Sequence, residues 1–398
     1  NWIQDDLPNL FGPGRGAGVT PFDVIFGSIG MLRARQSGYP AEQICVAPVP
    51  VNPRRFHDRP VSGDERARYA CDVSFVSNHS IAPEAFIEQA SVSIPPEQAR
   101  LLRAIDEDFA ARIARDDVPA TQPRTNALIL QIAQREGIDW MTLDHCDALR
   151  RAVVDKLITL RFRQEALEAV SGMGLELRLY GNGWENHPRL ARYARGPAAH
   201  GDELRAIYQA TRVNLQLMPT GAIHQRLIEG LFSGGFFLIR RTAADTCGDV
   251  YGEIEAYCLQ NNIESDLALI AAADTDRRVG AHLERLRERL FAPGEPYDGL
   301  VADFELARAR GFPLDARGLL PRYDDVAFGT TGELAALLNQ FLHDEAARRE
   351  IAGPQRSAVN QHFSYDAALK RMFDFAAAHF ARLAAKTNQR SLVSAIDS

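Results

Sequence analysis

Between residues 71 and 241 the chain alternates short apolar runs with stretches of helical periodicity. CDVSFVS at 71–77, Leu175, Leu177, Leu179 and Tyr180 at 175–180, Val213, Leu215 and Leu217 at 213–218, and Phe236 to Ile239 at 235–239 read as buried strands. Between them, LRRAVVDKLITLRFRQEALEAV repeats apolar residues at spacings of three and four, which predicts a crossover helix at about 149–171. Strand, helix, strand in this order is the pattern of a parallel sheet wound with helices, so the fold class is α/β. In such sheets ligands bind beyond the carboxyl ends of the strands.

Outside this frame the pattern changes. EQARLLRAIDEDFAARIARD belongs to a helical stretch far longer than one βα unit needs, and a helical insertion is expected at about 83–148. Residues 1–60 hold only short extended runs, Trp2 to Gln4, Val24 to Phe26 and Ile44 to Val51, as at the end of another α/β lobe. PVPVNPRRFHDRP at 48–60 is too rich in proline for a regular helix and reads as a linker between lobes. Acidic helical stretches follow at 242–300, with LERLRERLF and then a Pro/Gly-rich loop. Helices at 333–351 and 365–385 close the chain before a tail at 386–398. The expected division is therefore 1–60 as the end of an N-terminal lobe plus linker, and 66–385 as a C-terminal lobe carrying the insertion. The first residues, NWIQ, are strand-like and lack a starting Met, so the N-terminal lobe is read as incomplete.

Composition narrows the class. At 398 residues the chain exceeds one typical core, and 46% hydrophobic with 24% charged residues describes an ordinary globular protein. A formal charge of -7 offers no general attraction to nucleic acid. The five cysteines are odd in number, dispersed and without a CxxC pair, which argues against a disulfide framework or a structural zinc site and favours the cytoplasm. No run of 18 apolar residues exists, so no spanning segment is expected, while peripheral membrane contact stays compatible.

Four places carry candidate chemistry. GNGW at 181–184 follows a strand, and Gly181, Asn182 and Gly183 can bring backbone close to a ligand, although a tight strand exit explains the same residues. In HQRLIEG at 224–230 a helix starting near Ile223 sets Arg226 and Glu229 on one face. Its N-terminus favours anions, so Arg226 can meet a phosphate while Glu229 accepts ribose hydroxyls; an intrahelical Arg/Glu pair on a solvated face is the competing reading. SNHS at 77–80 places Asn78 and His79 at a strand end. WIQDDLP at 2–8 places Asp5 and Asp6 where paired carboxylates can supply a base or bind an acceptor, or simply cap a turn. HExxH, GxSxG and the Walker motif are all missing, which withdraws the usual support for zinc enzymes, serine hydrolases and P-loop NTPases.

Taken together, DVSFVSNHS, LRLYGNGW, DELRAIYQATRVNLQL, HQRLIEGLFSGGFFLIRR and REIAGPQRSAVNQHFSYDAALKRM resemble GT-B glycosyltransferases, and more narrowly the bacterial spore-maturation CgeB-like group with a glycosyl transferases group 1 C-terminal domain. The resemblance covers roughly 66–385. It implies Rossmann-like lobes, a nucleotide-sugar donor on the C-terminal lobe, and a glycan, lipid or protein acceptor held mainly by the N-terminal lobe. It further implies that Glu229 binds ribose, that Arg226 lies where a diphosphate contact is expected, that Gly234 and Gly235 form the small-residue turn, that Gly181 and Gly183 line the nucleotide, and that His224 faces the sugar phosphate. Catalytic candidates are Asp5, Asp6 and His79. Mg²⁺ is not required if positive side chains and helix amides neutralise the leaving diphosphate. One departure stands out: many retaining relatives carry a second Glu eight residues before the ribose-binding one, and Gly221 occupies that position. A non-catalytic binding module of a polysaccharide assembly system and a GT-B-like nucleotide-sugar epimerase therefore stay open beside glycosyl transfer.

Overall fold

A computed structural model describes residues 2–3, 19–27, 39–47, 49–118, 122–138, 154–246, 312–313 and 315–396, with isolated positions between 248 and 260. Among these residues, eight strands form two parallel sheets. The smaller contains β1 (Trp2–Ile3), β2 (Ile25–Gly27) and β3 (Ile44–Val46) in that order. The larger contains β4 (Cys71–His79), β5 (Leu177–Asn182), β6 (Thr211–Gln216), β7 (Phe237–Arg240) and β8 (Ala327–Phe328), ordered β5-β4-β6-β7-β8.

That order follows from burial on both faces. Val73, Phe75, Leu177, Leu179, Val213, Leu215, Phe237 and Ile239 are all buried in one apolar cluster, as expected for strands covered by helices on either side. After β4 the chain moves to one side, to β5; after β6 it moves to the other, to β7 and β8. The boundary between β4 and β6 is thus the point where the winding direction switches, and a crevice opens at their carboxyl ends.

Helices α1 (Gly63–Tyr69), α2 (Pro83–Ser91), α3 (Pro96–Ile113), α4 (Gln122–Arg135), α5 (Asp155–Ser171), α6 (Asp202–Ala210) and α7 (Gln225–Phe232) precede α8 (Thr331–Phe341), α9 (Glu345–Phe363) and α10 (Tyr365–Ile396). The region expected as an insertion has its own core, in which Leu101, Ile105 and Phe109 of α3 meet Ile129 and Ile132 of α4 and Leu157 and Ile158 of α5. Further along α5, Phe162, Ala166, Leu167 and Val170 join the sheet's core instead. One helix therefore serves two cores, and Arg161 clamps the join with hydrogen bonds of 2.7 and 2.5 Å to Asp106. At the carboxyl end of β7 a buried charge holds α5 in register. Arg240, 2% exposed at the end of β7, donates to the Phe162 carbonyl at 2.7 Å and pairs with Glu165 at 2.5 Å.

Two segments join the small sheet to the large one. In the linker, Val51 N–H donates to the Phe363 carbonyl at 2.8 Å; further on, Phe56 is buried, and the His57 and Arg59 carbonyls accept from Gln209 and Arg205 of α6. Helix α10 runs back to the small sheet, where Phe375 packs edge-on against Phe26 and the buried His379 ring bridges the Glu42 and Pro21 carbonyls at 3.1 and 2.8 Å.

Some boundaries differ from the expected ones. The run at 175–180 becomes a strand at 177–182, because Gly181 and Gly183 extend it against β4. Of Ile44 to Val51, Ile44–Val46 forms a strand and Val51 makes an isolated parallel bridge to Ser364. The single closing helix expected at 333–351 is two helices, broken where the Asp344 side chain accepts from Ala347 N–H and starts α9 afresh. Most of 242–300 lies outside the described residues.

Candidate functional site

One wall of the crevice consists of the adjoining ends of β4 and β5. Gly181 (φ +126°) and Gly183 (φ +92°) sit so close to β4 that a Cβ would lie 1.9 Å from the Ser77 carbonyl oxygen and 2.0 Å from that of Ser80. Only glycine combines that backbone conformation with that approach. Behind it, Trp184 Nε1–H donates to Ser77 Oγ at 3.1 Å, and Ser77 and Ser80 share a 2.8 Å bond. Asn182, exposed at the strand end, pairs with His79 in the sheet register. The backbone of Asn78 and His79 therefore lies at the crevice end of β4. Asp5 and Asp6 lie outside the described residues.

Opposite that wall, residues 217–224 lead from β6 into α7. The Gln216 amide donates to the Ala222 carbonyl at 2.9 Å. Asp245, 1% exposed, accepts from Ala222 N–H at 2.6 Å and Thr242 N–H at 2.8 Å. Gly221 in this loop has φ +110°, a conformation that opposes any side chain there. His224 then caps α7, its Nδ1 accepting from Arg226 N–H at 3.2 Å. Burial, then the nearby Arg226 and Arg163, push the His224 pKa down to about 4, leaving the ring neutral at neutral pH and able to accept that bond.

Arg226 does not pair with Glu229. Its guanidinium lies over the Phe75 ring, 5.2 Å from the centroid, and reaches Gln216 Oε1 at 3.4 Å. Arg163 of α5 lies over the same ring at 5.6 Å and donates to the Leu217 carbonyl at 3.4 Å. Among the described residues neither has a carboxylate in ion-pair range. Burial and the neighbouring Arg226 lower the Arg163 pKa to about 9, and burial lowers that of Arg226. Burial, followed by Arg163, also lowers the pKa of Lys156 at the start of α5. Two guanidiniums held together without a counter-charge, beside a helix N-terminus, form a place for an oxyanion.

Glu229 is one turn deeper and 5% exposed. Its Oε1 takes 2.8 Å contacts from Gln225 Nε2 and His200 Nε2, and Phe56 of the linker packs edge-on against the His200 ring. A carboxylate fixed this way can accept hydroxyls of a ligand entering beside α7.

Gly234 and Gly235 do not join this group. They precede β7 and therefore lie at the amino ends of the strands, across the sheet from the crevice. There a Cβ on Gly235 would approach the Tyr208 and Gly230 carbonyls to 2.9 and 3.1 Å, so packing explains it. Asp324 and Asp325 are in surface ion pairs with Arg317 and Arg322 at 2.6 Å each. Sequence reading missed Arg163, Phe75, Gln216, Gln225 and His200. Gln225 was within reach, being one helical turn before Glu229; the others come from separate segments with no shared spacing.

A family profile described as glycosyl transferase-like matches residues 161–293, a span that begins inside α5 just before Arg163 and takes in β5, β6, α7 and β7. No curated protein and no solved structure matches the chain significantly. The chain thus carries a glycosyltransferase group 1 type domain on an α/β, GT-B-type scaffold. Among the described residues, no helix is long and apolar enough to cross a membrane.

Proposed function

We propose that the crevice binds a nucleotide-diphosphate sugar and that the protein transfers the sugar to an acceptor hydroxyl. The observation carrying this reading is the pair of guanidiniums of Arg163 and Arg226, stacked on Phe75 at the winding switch without a carboxylate on either. The diphosphate sits on these arginines and the first amides of α7, and the ribose hydroxyls on Glu229 beside His200 and Gln225. As the bond from the anomeric carbon to the diphosphate breaks, negative charge grows on the departing oxygen. Two fixed cations and oriented amides stabilise that charge more than the ground state, which lowers the barrier. The same two charges do the work a divalent ion would do, so transfer proceeds in EDTA.

The acceptor, a glycan, lipid or protein hydroxyl, needs a base, for which Asp5, Asp6 and His79 are the candidates. Gly221 opposes a carboxylate on the 217–224 loop, since a Glu at φ +110° is strained. That argues for a mechanism without a second Glu, and it is also the one observation favouring a non-catalytic donor-binding module. Calorimetry with UDP-, GDP-, dTDP- and ADP-sugars tests binding: one of them binds the wild type, and Arg163→Ala and Arg226→Ala each weaken it roughly tenfold or more. Undiminished binding in both variants removes the reading. Transfer to an acceptor distinguishes an enzyme from a binding module, and donor conversion without acceptor identifies an epimerase.

A further inference from the structure

At the amino ends of the strands, on the far side of the large sheet from the donor crevice, lies a second cleft of about 670 Å³, lined by the ends of α1, α6 and α7 and the first turns of α9. Five arginines line it, Arg66, Arg212, Arg348, Arg349 and Arg356, against the carboxylates of Asp58 and Glu345. Three of these arginines are matched: Arg356 with Asp58 at 2.5 Å, Arg349 with Glu345 at 2.5 Å, and Arg212 with Asp72 at 2.9 Å. The other two are not. Arg66 has no carboxylate in ion-pair range among the described residues, and Arg348 turns its guanidinium to the Phe341 and Leu342 carbonyls at the end of α8.

We propose that this cleft is a second anion site, for a ligand carrying clustered phosphate or carboxylate groups. Burial lowers the Arg348 pKa, while Glu345 and Asp344 offset the repulsion from Arg212 and Arg349, so desolvation is what its charge has to overcome. An anion seated in the cleft supplies the counter-charge that Arg66 and Arg348 lack. The floor has room for one, since Gly353 has nothing within 4 Å of where a Cβ would stand, and the volume lies within the usual range for small-ligand sites, roughly 300–1,000 Å³. A lipid headgroup and a free polyanion share this chemistry. The large exposed apolar side chains among the described residues, such as Phe22, Val92 and Phe373, do not line this cleft, so nothing beside it is built to enter a bilayer and the free anion is favoured.

Inorganic tripolyphosphate titrated into the full chain tests the proposal. The wild type binds at two sites, and Arg163→Ala with Arg226→Ala removes one of them. In that background, Arg66→Ala with Arg349→Ala, both exposed positions, weakens the remaining site roughly tenfold. Arg348→Gln, which keeps a donor for the helix carbonyls, does the same. Binding at a single site that vanishes with Arg163 and Arg226, or wild-type affinity in both cleft variants, overturns it. Co-sedimentation with phosphatidylcholine vesicles with and without phosphatidylglycerol separates the sources: sedimentation that needs phosphatidylglycerol and Arg66/Arg349 assigns the anion to a headgroup, and tripolyphosphate binding without sedimentation assigns it to a free ligand.

Discussion

At the residue scale, the crevice depends on groups whose protonation and backbone are set by burial. His224 has its pKa depressed from the ordinary 6.5 to about 4, so the folded protein holds fewer protons than the unfolded chain between those values. Its contribution to stability is complete above pH 6.5 and is lost as pH falls from 6.5 toward 4. His224→Asn keeps a capping side chain without a titrating ring, so its melting temperature falls less than the wild type's across that window. A bound diphosphate favours the imidazolium, so saturating donor should raise the His224 pKa in an NMR titration. Gly181→Ala tests backbone need: with φ +126° and a Cβ 1.9 Å from the Ser77 oxygen, it should cost about 2 kcal/mol or more in denaturant unfolding. Of these residues, Arg226, Glu229 and Gly181 were legible because each sits in a short local pattern. Arg163 was not, since 63 positions part it from Arg226 and only the winding of the sheet stacks both on Phe75.

Elements carry the crevice through their anchoring. Arg163 is placed by α5, and α5 is tied to β7 by the buried Arg240 through Phe162 and Glu165. Arg240→Ala leaves Glu165 and a carbonyl without their partner and should destabilise by about 3 kcal/mol, with weaker donor binding in the folded fraction. If donor affinity were unchanged, Arg163 would not depend on this tie. The loop 217–224 has a comparable anchor in Asp245, whose burial raises its pKa while the Ala222 and Thr242 amides oppose the rise. Asp245→Asn loses one acceptor oxygen, so donor affinity should drop with little change in the strands, measurable by calorimetry beside circular dichroism. Strand and helix identities were readable from periodicity, yet ends moved by about two residues, because pairing with a neighbour decides where a strand stops. Gly234 and Gly235 show the same limit: a double glycine reads alike at either end of a sheet.

At the scale of the whole molecule, the linker and α10 connect two sheets, and the linker also brings Phe56 against His200, which contacts Glu229. The linker and the Glu229 carboxylate, the proposed ribose contact, are thereby joined through the Phe56 and His200 rings. Phe56→Ala should lower both the melting temperature and donor affinity, whereas His379→Ala, on α10 and away from the crevice, should lower only the melting temperature; equal donor effects in the two variants would break that distinction. The sequence by itself determined the α/β class, the order of strands and helices from 71 to 241, and the Arg226 to Glu229 helix, because these rest on periodicities of two and 3.6 residues and on neighbours within a turn. Only the tertiary structure decided that Arg226 leaves Glu229 for Arg163 and Phe75, that Gly221 holds a backbone hostile to a side chain, and that five arginines meet at the opposite end of the sheet. Each of those depends on which strand lies beside which, and that is settled by burying both faces of the sheet at once, a condition no local stretch of sequence expresses.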